Sequence, residues 1–279
     1  MDQRQPARPR FFFSTAPMPC PYLPGRLERK VLTELTGTQA EPLHNQLSRA
    51  GFRRSHGIAY APACPTCRAC VPVRVVVDAF ARRRTLARTF KRNADLTVRR
   101  LPARAQAEHY RLFTEYQRRR HAGSDMALMG YYEYRSMIED SPIETCLYEF
   151  RDPAERLIAV CLADHMDDGL SAVYSFYDPE QTERSLGTHT VLWLIEHARA
   201  LGLPYVYLGF WIAQSPKMSY KERFQPLEAY RPAVGWGRLD ATAERSSLNE
   251  ADHLTRSSRQ NLEDASAGMV KPFMGQGIC

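Results

Sequence analysis

A short turn between a strand pattern and a helix pattern contains the residues of this chain best suited to hold an anion. The turn reads Arg184-Ser-Leu-Gly187-Thr-His189. Backbone N–H groups at a helix N-terminus attract anions, and a glycine allows a ligand to approach the backbone closely. The turn therefore predicts an anion site at the N–H groups of Leu186, Gly187 and Thr188. An ordinary capping loop, with Thr188 as the helix cap, is the alternative.

Cysteines form a second group of residues that could perform chemistry or bind a metal. Cys64, Cys67 and Cys70 place three thiols within seven residues, and folding could bring Cys20 beside them. Thiolates at this density favour zinc or an iron–sulfur cluster. Reduced thiols without metal are the alternative. The sequence therefore predicts one shared thiol site and leaves its occupancy open.

The chain is basic, with a formal net charge of +7 and an isoelectric point near 9.1. Its arginines are concentrated in two segments. The first contains Arg82, Arg83, Arg84, Arg88, Lys91, Arg92, Arg99, Arg100 and Arg104, and the second is Arg118-Arg119-Arg120-His121. A partner with phosphates would gain from this density, and its affinity would fall steeply with salt. Solvated helix faces are the alternative interpretation.

Length and composition describe a folded globule. The chain has 279 residues, of which 44% are hydrophobic, enough for one large or two modest domains. No segment approaches the roughly 20 apolar residues that cross a bilayer, and the N-terminus lacks a secretory core. We therefore expect a cytoplasmic protein without a membrane partner, in which the seven cysteines favour metal, catalytic or buried thiol roles over disulfides.

Hydrophobic periodicity in the second half predicts the elements around the turn. Residues 108–121 have helical spacing, and 143–150, 157–166 and 170–177 read as three consecutive antiparallel strands. The segment from Val191 to Ala198 is again helical and ends before Gly202. This order of elements fits an α+β fold with a mixed sheet.

The first half predicts a helix at 41–50, a buried strand at 71–78, and a helix in the arginine-rich segment that leads into 96–101. Residues 26–35 fit a helix and a strand equally well. A change of pattern at Leu101-Pro102 suggests a boundary. The predicted organisation is a Cys-containing N-terminal domain at 11–101, a second domain at 102–240 and a loosely attached polar tail at 241–279.

Several motifs resemble known families. The strand, turn and helix around Gly187 resemble the Gcn5-related acetyltransferase fold, in which backbone N–H groups bind the pyrophosphate of coenzyme A. His189 replaces the small residue of that pattern, which opposes coenzyme A as the donor. Tyr-Asp-Pro, Ser-Leu-Gly-Thr, Tyr-Leu-Gly and Lys217-Met-Ser-Tyr220-Lys221 together resemble the aminoacyl-tRNA–protein transferases. The N-terminal motifs are similar to the bacterial branch, the aspartate/glutamate leucyltransferases: Cys20-Pro-Tyr-Leu-Pro-Gly, Gly51-Phe-Arg-Arg-Ser-His56 and Phe90-Lys-Arg-Asn93.

The resemblance implies transfer of leucine from leucyl-tRNA to the N-terminal amine of proteins that begin with Asp or Glu, which creates an N-end-rule degradation signal. Leucyl-tRNA is already an activated ester, so positioning should dominate the rate and the chemistry requires no cofactor. A modest base must deprotonate the acceptor amine, and donors must stabilise the oxyanion. In this fold Tyr174, Asp178 and His189 are the catalytic candidates.

Two binding sites follow from the same resemblance. The candidates for contact with aminoacyl-tRNA are Arg83, Arg84, Arg88, Arg184, Leu186, Gly187 and Thr188. An acidic first residue requires a cation within reach of its carboxylate. The candidates for acceptor binding are Arg74, Arg92, Lys217, Tyr220 and Lys221. Related eukaryotic transferases bind metal through cysteine pairs, which makes Cys20, Cys64, Cys67 and Cys70 candidate ligands for zinc or an iron–sulfur cluster.

Other functions explain part of the sequence. An arginyl-tRNA–protein transferase would differ in the donor, which the residues alone do not decide. A noncatalytic, zinc-stapled RNA-binding protein would account for the charge and the cysteines, but not for the Ser-Leu-Gly-Thr turn or the Lys-Met-Ser-Tyr-Lys run. An acetyltransferase that uses acetyl-coenzyme A would account for the turn, but not for His189.

Overall fold

A computed structural model describes residues 10–245. The chain divides into a compact unit that ends at Leu239 and a second unit that begins at Asp240. In the second unit, Oδ1 of Asp240 accepts hydrogen bonds from the N–H groups of Thr242 and Ala243, both at 3.0 Å. Most of the predicted polar tail at 241–279 lies outside the described residues.

The first unit contains runs of strands separated by helices. The strands are β1 (Phe13–Ser14), β2 (Met18–Pro19), β3 (Leu27–Glu28), β4 (Lys30–Glu34), β5 (Arg53–Ser55), β6 (Ile58–Pro62), β7 (Val71–Val76), β8 (Thr97–Pro102), β9 (Thr145–Arg151), β10 (Leu157–Met166), β11 (Gly169–Tyr177), β12 (Tyr205–Trp211), β13 (Leu227–Arg231) and β14 (Gly235–Arg238). The α-helices are α1 (Ala40–Arg49), α2 (Arg84–Arg92), α3 (Ala107–Arg120), α4 (Tyr131–Glu139), α5 (Leu186–Ala200) and α6 (Pro216–Ser219).

These strands form one large mixed sheet and two small ones. The large sheet has eight strands in the order β14-β13-β7-β12-β11-β10-β9-β8. Its pairs are antiparallel except for β11 and β12, which run parallel. A four-stranded sheet has the order β1-β4-β6-β5, and β2 pairs with β3. The mixed sheet with helices confirms the predicted α+β class.

Helices cover both faces of the large sheet. α3 and α4 bury Phe113, Tyr116, Tyr134 and Ile138 against Phe176 and its neighbours on one face. α5 packs on β10, β11 and β12 through fully buried residues, namely Leu192, Leu194, Ile195 and Ala198. The turn before α5 therefore lies at the end of β11, with α3 and α5 on either side of that strand.

Periodicity predicted most long elements correctly. The three antiparallel strands are confirmed as β9, β10 and β11, and the helices at 41–50 and 108–121 are confirmed as α1 and α3. Gly202, which follows α5, has a φ of +69°, a conformation that glycine adopts without strain. The ambiguous segment 26–35 contains the two strands β3 and β4, because Lys30–Glu34 pairs with Ile58–Pro62.

Strand β7 links the two halves of the sequence. It pairs with β12 on one side and β13 on the other, so a segment from the N-terminal half lies inside the large sheet. Val73, Val75 and Val77 are at most 1% exposed there. The Cys-containing N-terminal domain is not confirmed as a separate unit, and the boundary at 101–102 stays a prediction.

Candidate active site

The turn before α5 presents backbone donors. Ser185 precedes the helix in a left-handed conformation, with φ of 51°, and its carbonyl accepts the N–H groups of Thr188 and His189, both at 3.0 Å. Within residues 10–245, the N–H groups of Leu186 and Gly187 have no hydrogen-bond partner. The cap is thus Ser185 rather than Thr188. Two of the three predicted donors are open, and the third is used inside the turn.

Gly187 lies against the ring of Tyr177. An added Cβ would be 3.1 Å from Cε1 of Tyr177 and 3.5 Å from its hydroxyl oxygen. On its other side, the Tyr177 hydroxyl accepts a hydrogen bond from Nη2 of Arg120 at 3.4 Å. The glycine therefore keeps a side chain out of the space between the turn and the end of β11.

Side chains from α2 and the following turn fix this loop. Arg184 donates to both carboxylate oxygens of Asp95 at 2.8 Å, which holds the pKa of Asp95 below its ordinary value. Nδ2 of Asn93 donates to the carbonyl of Arg184 at 2.9 Å, and Arg92 donates to the carbonyl of Glu183. Arg184 and Arg92 are therefore engaged in holding the loop.

The predicted tRNA-binding arginines form an exposed row on α2. Arg83, Arg84 and Arg88 are exposed, and in the described part of the chain none of them forms an ion pair. α2 packs antiparallel to α5, because Arg82 at its start approaches Glu196 while Arg92 at its end reaches the turn. This row of cations therefore leads towards the open N–H groups.

His189 lies in the interior. Its ring packs against Phe90 of α2, with centroids 5.7 Å apart, and against Phe150 of β9 at 5.8 Å. The side chain is 4% exposed, and burial lowers its pKa to about 4. Nδ1 has no partner among the described residues. A neutral imidazole at this position packs α2 and β9 onto α5.

Tyr174 and Asp178 both have local partners. The hydroxyl of Tyr174 accepts a hydrogen bond from Nε2 of the buried Gln117 at 2.6 Å, and burial raises its pKa. Oδ1 of Asp178 accepts the N–H group of Glu180 and Oδ2 accepts Nε2 of Gln181, both at 3.0 Å. Asp178 thus shapes the turn after β11, whereas Tyr177 has the ring that contacts Gly187.

The parallel strands β11 and β12 separate beside this turn. They pair only over Gly169–Ser171 and Tyr205–Tyr207, and an irregularity follows in β12 at Gly209. Nη2 of Arg53 donates to the carbonyls of Ala172 and Val173, both at 3.2 Å, and so enters the gap. Arg53 belongs to the motif Gly51-Phe-Arg-Arg-Ser-His56, which does not by itself indicate a role for this residue. Its position in a three-residue strand gives no periodic signal.

Two of the predicted acceptor residues lie close to Arg53. Lys221 is 6% exposed, and its Nζ donates to the carbonyl of Phe210 at 2.6 Å. Burial lowers the pKa of Lys221 well below its ordinary value, and the charge of Arg53 adds to this effect. Burial also raises the pKa of Tyr220 to about 12, with Tyr177 adding and Arg53 opposing. Arg53, Lys221, Tyr220 and Tyr177 thus form a continuous region.

The other acceptor candidates lie elsewhere. Arg74 is 7% exposed, donates to Glu228 at 2.8 Å and to the hydroxyl of Tyr207 at 3.1 Å, and lies over Tyr205 and Trp236 at 3.5 and 4.3 Å. Its guanidinium is already surrounded by these groups.

Lys217 is exposed, and its charge contributes to lowering the pKa of His121, mainly an effect of burial. Together with the placement of Arg74 and Arg92, this leaves Lys221 and Tyr220 as the predicted acceptor residues that the fold brings together.

The four candidate cysteines line one pocket that opens to solvent. Nη1 of Arg26 donates to Sγ of Cys67 at 3.3 Å, and burial raises the pKa of Cys70 to about 12, with Cys67, Cys20 and Cys64 adding. No three His, Cys, Asp or Glu side chains of residues 10–245 are arranged to hold a metal ion. The thiols share a cavity, but as placed they do not form a metal-ligand set.

Comparisons with known proteins identify the family of this chain. Residues 18–88 match the family described as arginine-tRNA-protein transferase, N terminus, and residues 108–231 match its C terminus. A protein of Paramagnetospirillum magneticum named aspartate/glutamate leucyltransferase is 62% identical over 239 residues, covering 86% of this chain and 98% of its own. One of Rhodospirillum rubrum with the same name is 56% identical over 241 residues, with the same coverage. Among solved structures, L-PGS from Bacillus licheniformis aligns over 64% of this chain and 52% of its own, with 10% identity and a TM-score of 0.42. The chain belongs to the aspartate/glutamate leucyltransferase family, and it is an aminoacyltransferase.

Proposed function

We propose that the protein transfers leucine from leucyl-tRNA to the N-terminal amine of proteins that begin with Asp or Glu. The product would carry an N-end-rule degradation signal, and the reaction would take place in the cytoplasm. The observation that carries this proposal is the name shared by relatives at 50–62% identity over more than 80% of the chain. Within the described residues, no helix is long and apolar enough to cross a membrane.

The proposed reaction forms one bond and breaks one. The neutral amine of the acceptor attacks the ester carbonyl carbon of leucyl-tRNA, a C–N bond forms, and the C–O bond to the terminal ribose breaks. The amine loses a proton and the ribose hydroxyl gains one. The open N–H groups of Leu186 and Gly187 are suited to stabilise the oxyanion or to bind the terminal ribose-phosphate. No covalent enzyme intermediate is required.

The exposed arginines of α2 support the donor side of this proposal. Arg83, Arg84 and Arg88 form no ion pair with the residues that the structure describes, and the end of α2 is bonded to the turn through Arg92 and Asn93. A tRNA backbone on this row would bring its acceptor end to the open N–H groups. Binding should then weaken with salt in proportion to the phosphates contacted.

We also propose that the large sheet and its helices have the acetyltransferase-like fold. The order β11, turn and α5, and the separation of β11 from β12, support it. Coenzyme A would be excluded for two reasons. The ring of His189 is needed between α2 and β9, and the guanidinium of Arg53 enters the gap beside β11. Calorimetric titration that detected micromolar binding of coenzyme A would contradict this assignment.

Metal binding by the four cysteines remains a separate proposal. Their shared cavity supports it, and zinc or an iron–sulfur cluster would need deprotonated thiols, so a bound metal must lower the raised pKa of Cys70. Elemental analysis and spectroscopy on anaerobically prepared protein test this proposal. The absence of both zinc and iron would remove it without affecting the transferase proposal.

Arginine is the second candidate donor, because both matching family descriptions name arginine-tRNA-protein transferases. One assay separates the two donors. The protein is mixed with an Asp-initiated peptide and with tRNA charged with labelled leucine or labelled arginine. Labelled peptide from leucyl-tRNA alone would support the proposal, and labelled peptide from arginyl-tRNA alone would replace it. If the protein only binds RNA and has no transferase activity, the peptide would stay unlabelled with both tRNAs.

A further inference from the structure

We propose that Arg53 reads the acidic first side chain of the acceptor, with the carboxylate accepting hydrogen bonds from the N–H groups on Nη1. This inference rests on the proposed function, and it adds a specificity residue that the sequence motifs did not assign. In residues 10–245, Nε and Nη1 have no hydrogen-bond acceptor, and Arg53 has no carboxylate partner. The side chain is half-buried, so these donors are unpaired in a site of restricted solvent.

The backbone holds the guanidinium in one place. Nη2 donates to two adjacent carbonyls of β11, those of Ala172 and Val173, at 3.2 Å each. These carbonyls lie beyond the last residue of β11 that pairs with β12, which is Ser171. Arg53 therefore replaces the missing strand partner with Nη2 and keeps the N–H groups on Nη1 for a ligand. A guanidinium that is fixed in place and always charged suits a carboxylate.

Gly209 makes room for this arrangement. A Cβ at residue 209 would lie 1.9 Å from Nη1 and 2.2 Å from Cζ of Arg53, and the φ of +70° also favours glycine. The pairing of β12 with β7 also becomes irregular between Tyr207 and Gly209. The missing side chain at residue 209 thus serves the placement of Arg53.

Local charge favours an anion at this point. Lys221 is buried nearby, donates to a backbone carbonyl, and is not paired with a carboxylate among the described residues. Burial lowers the pKa of Lys221, and the charge of Arg53 adds to this effect. A bound carboxylate would offset the charge of Arg53, whereas an amide of the same shape would not. Asp and Glu would therefore be preferred over Asn and Gln.

A carboxylate fits this position better than a phosphate of the tRNA. The gap lies between two strands of the sheet, beside the ring of Phe210, at 5.8 Å from Cζ of Arg53. The exposed cations suited to a polynucleotide are on α2, which borders the turn rather than the gap. A single side chain can enter a gap between strands, whereas a phosphodiester is flanked by two nucleosides.

The test compares peptides that begin with Asp or Asn as acceptors for wild-type protein, Arg53→Gln and Arg53→Lys. We expect the kcat/KM of the wild-type protein to favour the Asp peptide by roughly tenfold or more. Arg53→Gln should lose this preference, because a charge-assisted hydrogen bond to the carboxylate is replaced by one from a neutral amide. Arg53→Lys should be intermediate. The KM for leucyl-tRNA should stay within threefold. Arg156→Gln is the matched control, since Arg156 is exposed and, within residues 10–245, its ion pair is the local one with Asp152.

Each outcome decides the inference. Retention of the Asp preference in Arg53→Gln would overturn the role of Arg53 while leaving the proposed function intact. An equal loss of kcat/KM for both peptides in Arg53→Gln, with a raised KM for leucyl-tRNA, would place the tRNA at Arg53 and overturn the inference as well. If Arg53→Gln does not fold, Arg53→Lys must still lower the Asp preference. Wild-type protein that transfers leucine to no peptide would instead refute the proposed function.

Discussion

The two arginine-rich segments, on α2 and at the end of α3, differ in what their charges already contact. Arg118 and Arg119 of α3 are bonded to Glu115 at 2.6 and 2.7 Å, and Arg119 also reaches Glu180 at 2.8 Å. On α2, Arg83, Arg84 and Arg88 have no ion pair within the described residues. Similar arginine-rich sequences thus form one surface whose charges are paired with carboxylates and one open surface, on α2, whose charges are unpaired among the described residues.

This difference shows that charge density in a sequence does not locate a binding surface. An arginine with a carboxylate partner must give up that partner before it binds a phosphate, whereas an unpaired arginine loses only water. The open surface also leads to the turn, because Arg92 and Asn93 bond to it. We therefore expect α2 to deliver the donor to the turn and α3 only to support the fold.

The largest effect should come from Gly187, where the α2 surface ends. In Gly187→Val the new side chain would meet the ring of Tyr177, which lies 3.1 Å from the first added carbon. We expect transfer to fall by roughly 100-fold, the scale of losing an oxyanion donor, while tRNA affinity changes little. Single-turnover rates and filter binding measure the two quantities separately.

Gly237→Val is the matched control for this variant, because a Cβ at Gly237 has no atom within 4 Å and the residue lies in β14. A folded Gly187→Val protein with the normal transfer rate would show that the turn has only a structural role.

The next effect concerns the arginines of α2. Replacement of Arg83, Arg84 and Arg88 by Ala should weaken leucyl-tRNA binding by roughly 10- to 100-fold near 0.15 M salt. The slope of log affinity against log salt should become shallower by roughly 2 to 3, one unit for each lost phosphate contact. Titrations at several salt concentrations measure both. An unchanged slope would place the tRNA on another surface.

Sequence patterns predicted the second half of the fold better than the first. β9, β10 and β11 follow one another in the chain and in the sheet, so local alternation is sufficient to find them. The place of β7 depends on pairs such as Val73 with Gly209 and Ala229, which are remote in sequence. No local pattern records such pairing. In the second half, sequence patterns missed only the short helix α4 among the α-helices longer than one turn.

The candidate site shows the same limit. The turn and Lys221 were predicted from motifs, whereas Arg53 was not given a role, because its importance depends on a gap between strands that form elsewhere in the chain. His189, which replaces the small residue of the turn pattern, was a catalytic candidate, yet the fold buries it between Phe90 and Phe150. Burial of a lone histidine on an apolar helix is a tertiary effect.

His189 connects α2 to α5, so its protonation should affect the open surface. Burial lowers its pKa to about 4 from an ordinary 6.5. Between these values the unfolded chain binds the proton and the folded chain does not, so stability falls as the pH is lowered through this window. At pH 5 the loss should be about 2 kcal/mol relative to pH 7.5.

In His189→Phe, which keeps an aromatic ring between Phe90 and Phe150, this part of the pH dependence should disappear. Urea unfolding of both proteins at pH 7.5 and 5.0 measures the difference. An equal pH dependence in the two proteins would mean that His189 titrates normally in the folded state.

The smallest effect should come from the arginines of α3. The double substitution Arg118→Ala and Arg119→Ala removes two formal charges, but their carboxylate partners on Glu115 and Glu180 already offset them. Affinity for leucyl-tRNA should change by less than about twofold and the salt slope should not change, since exposed pairs of this kind contribute little. Arg120 is left in place because it contacts Tyr177. The same titrations as for α2 provide the measurement. A loss comparable to that of the α2 variant would mean that these ion pairs open when tRNA binds, and that the donor lies across both helices.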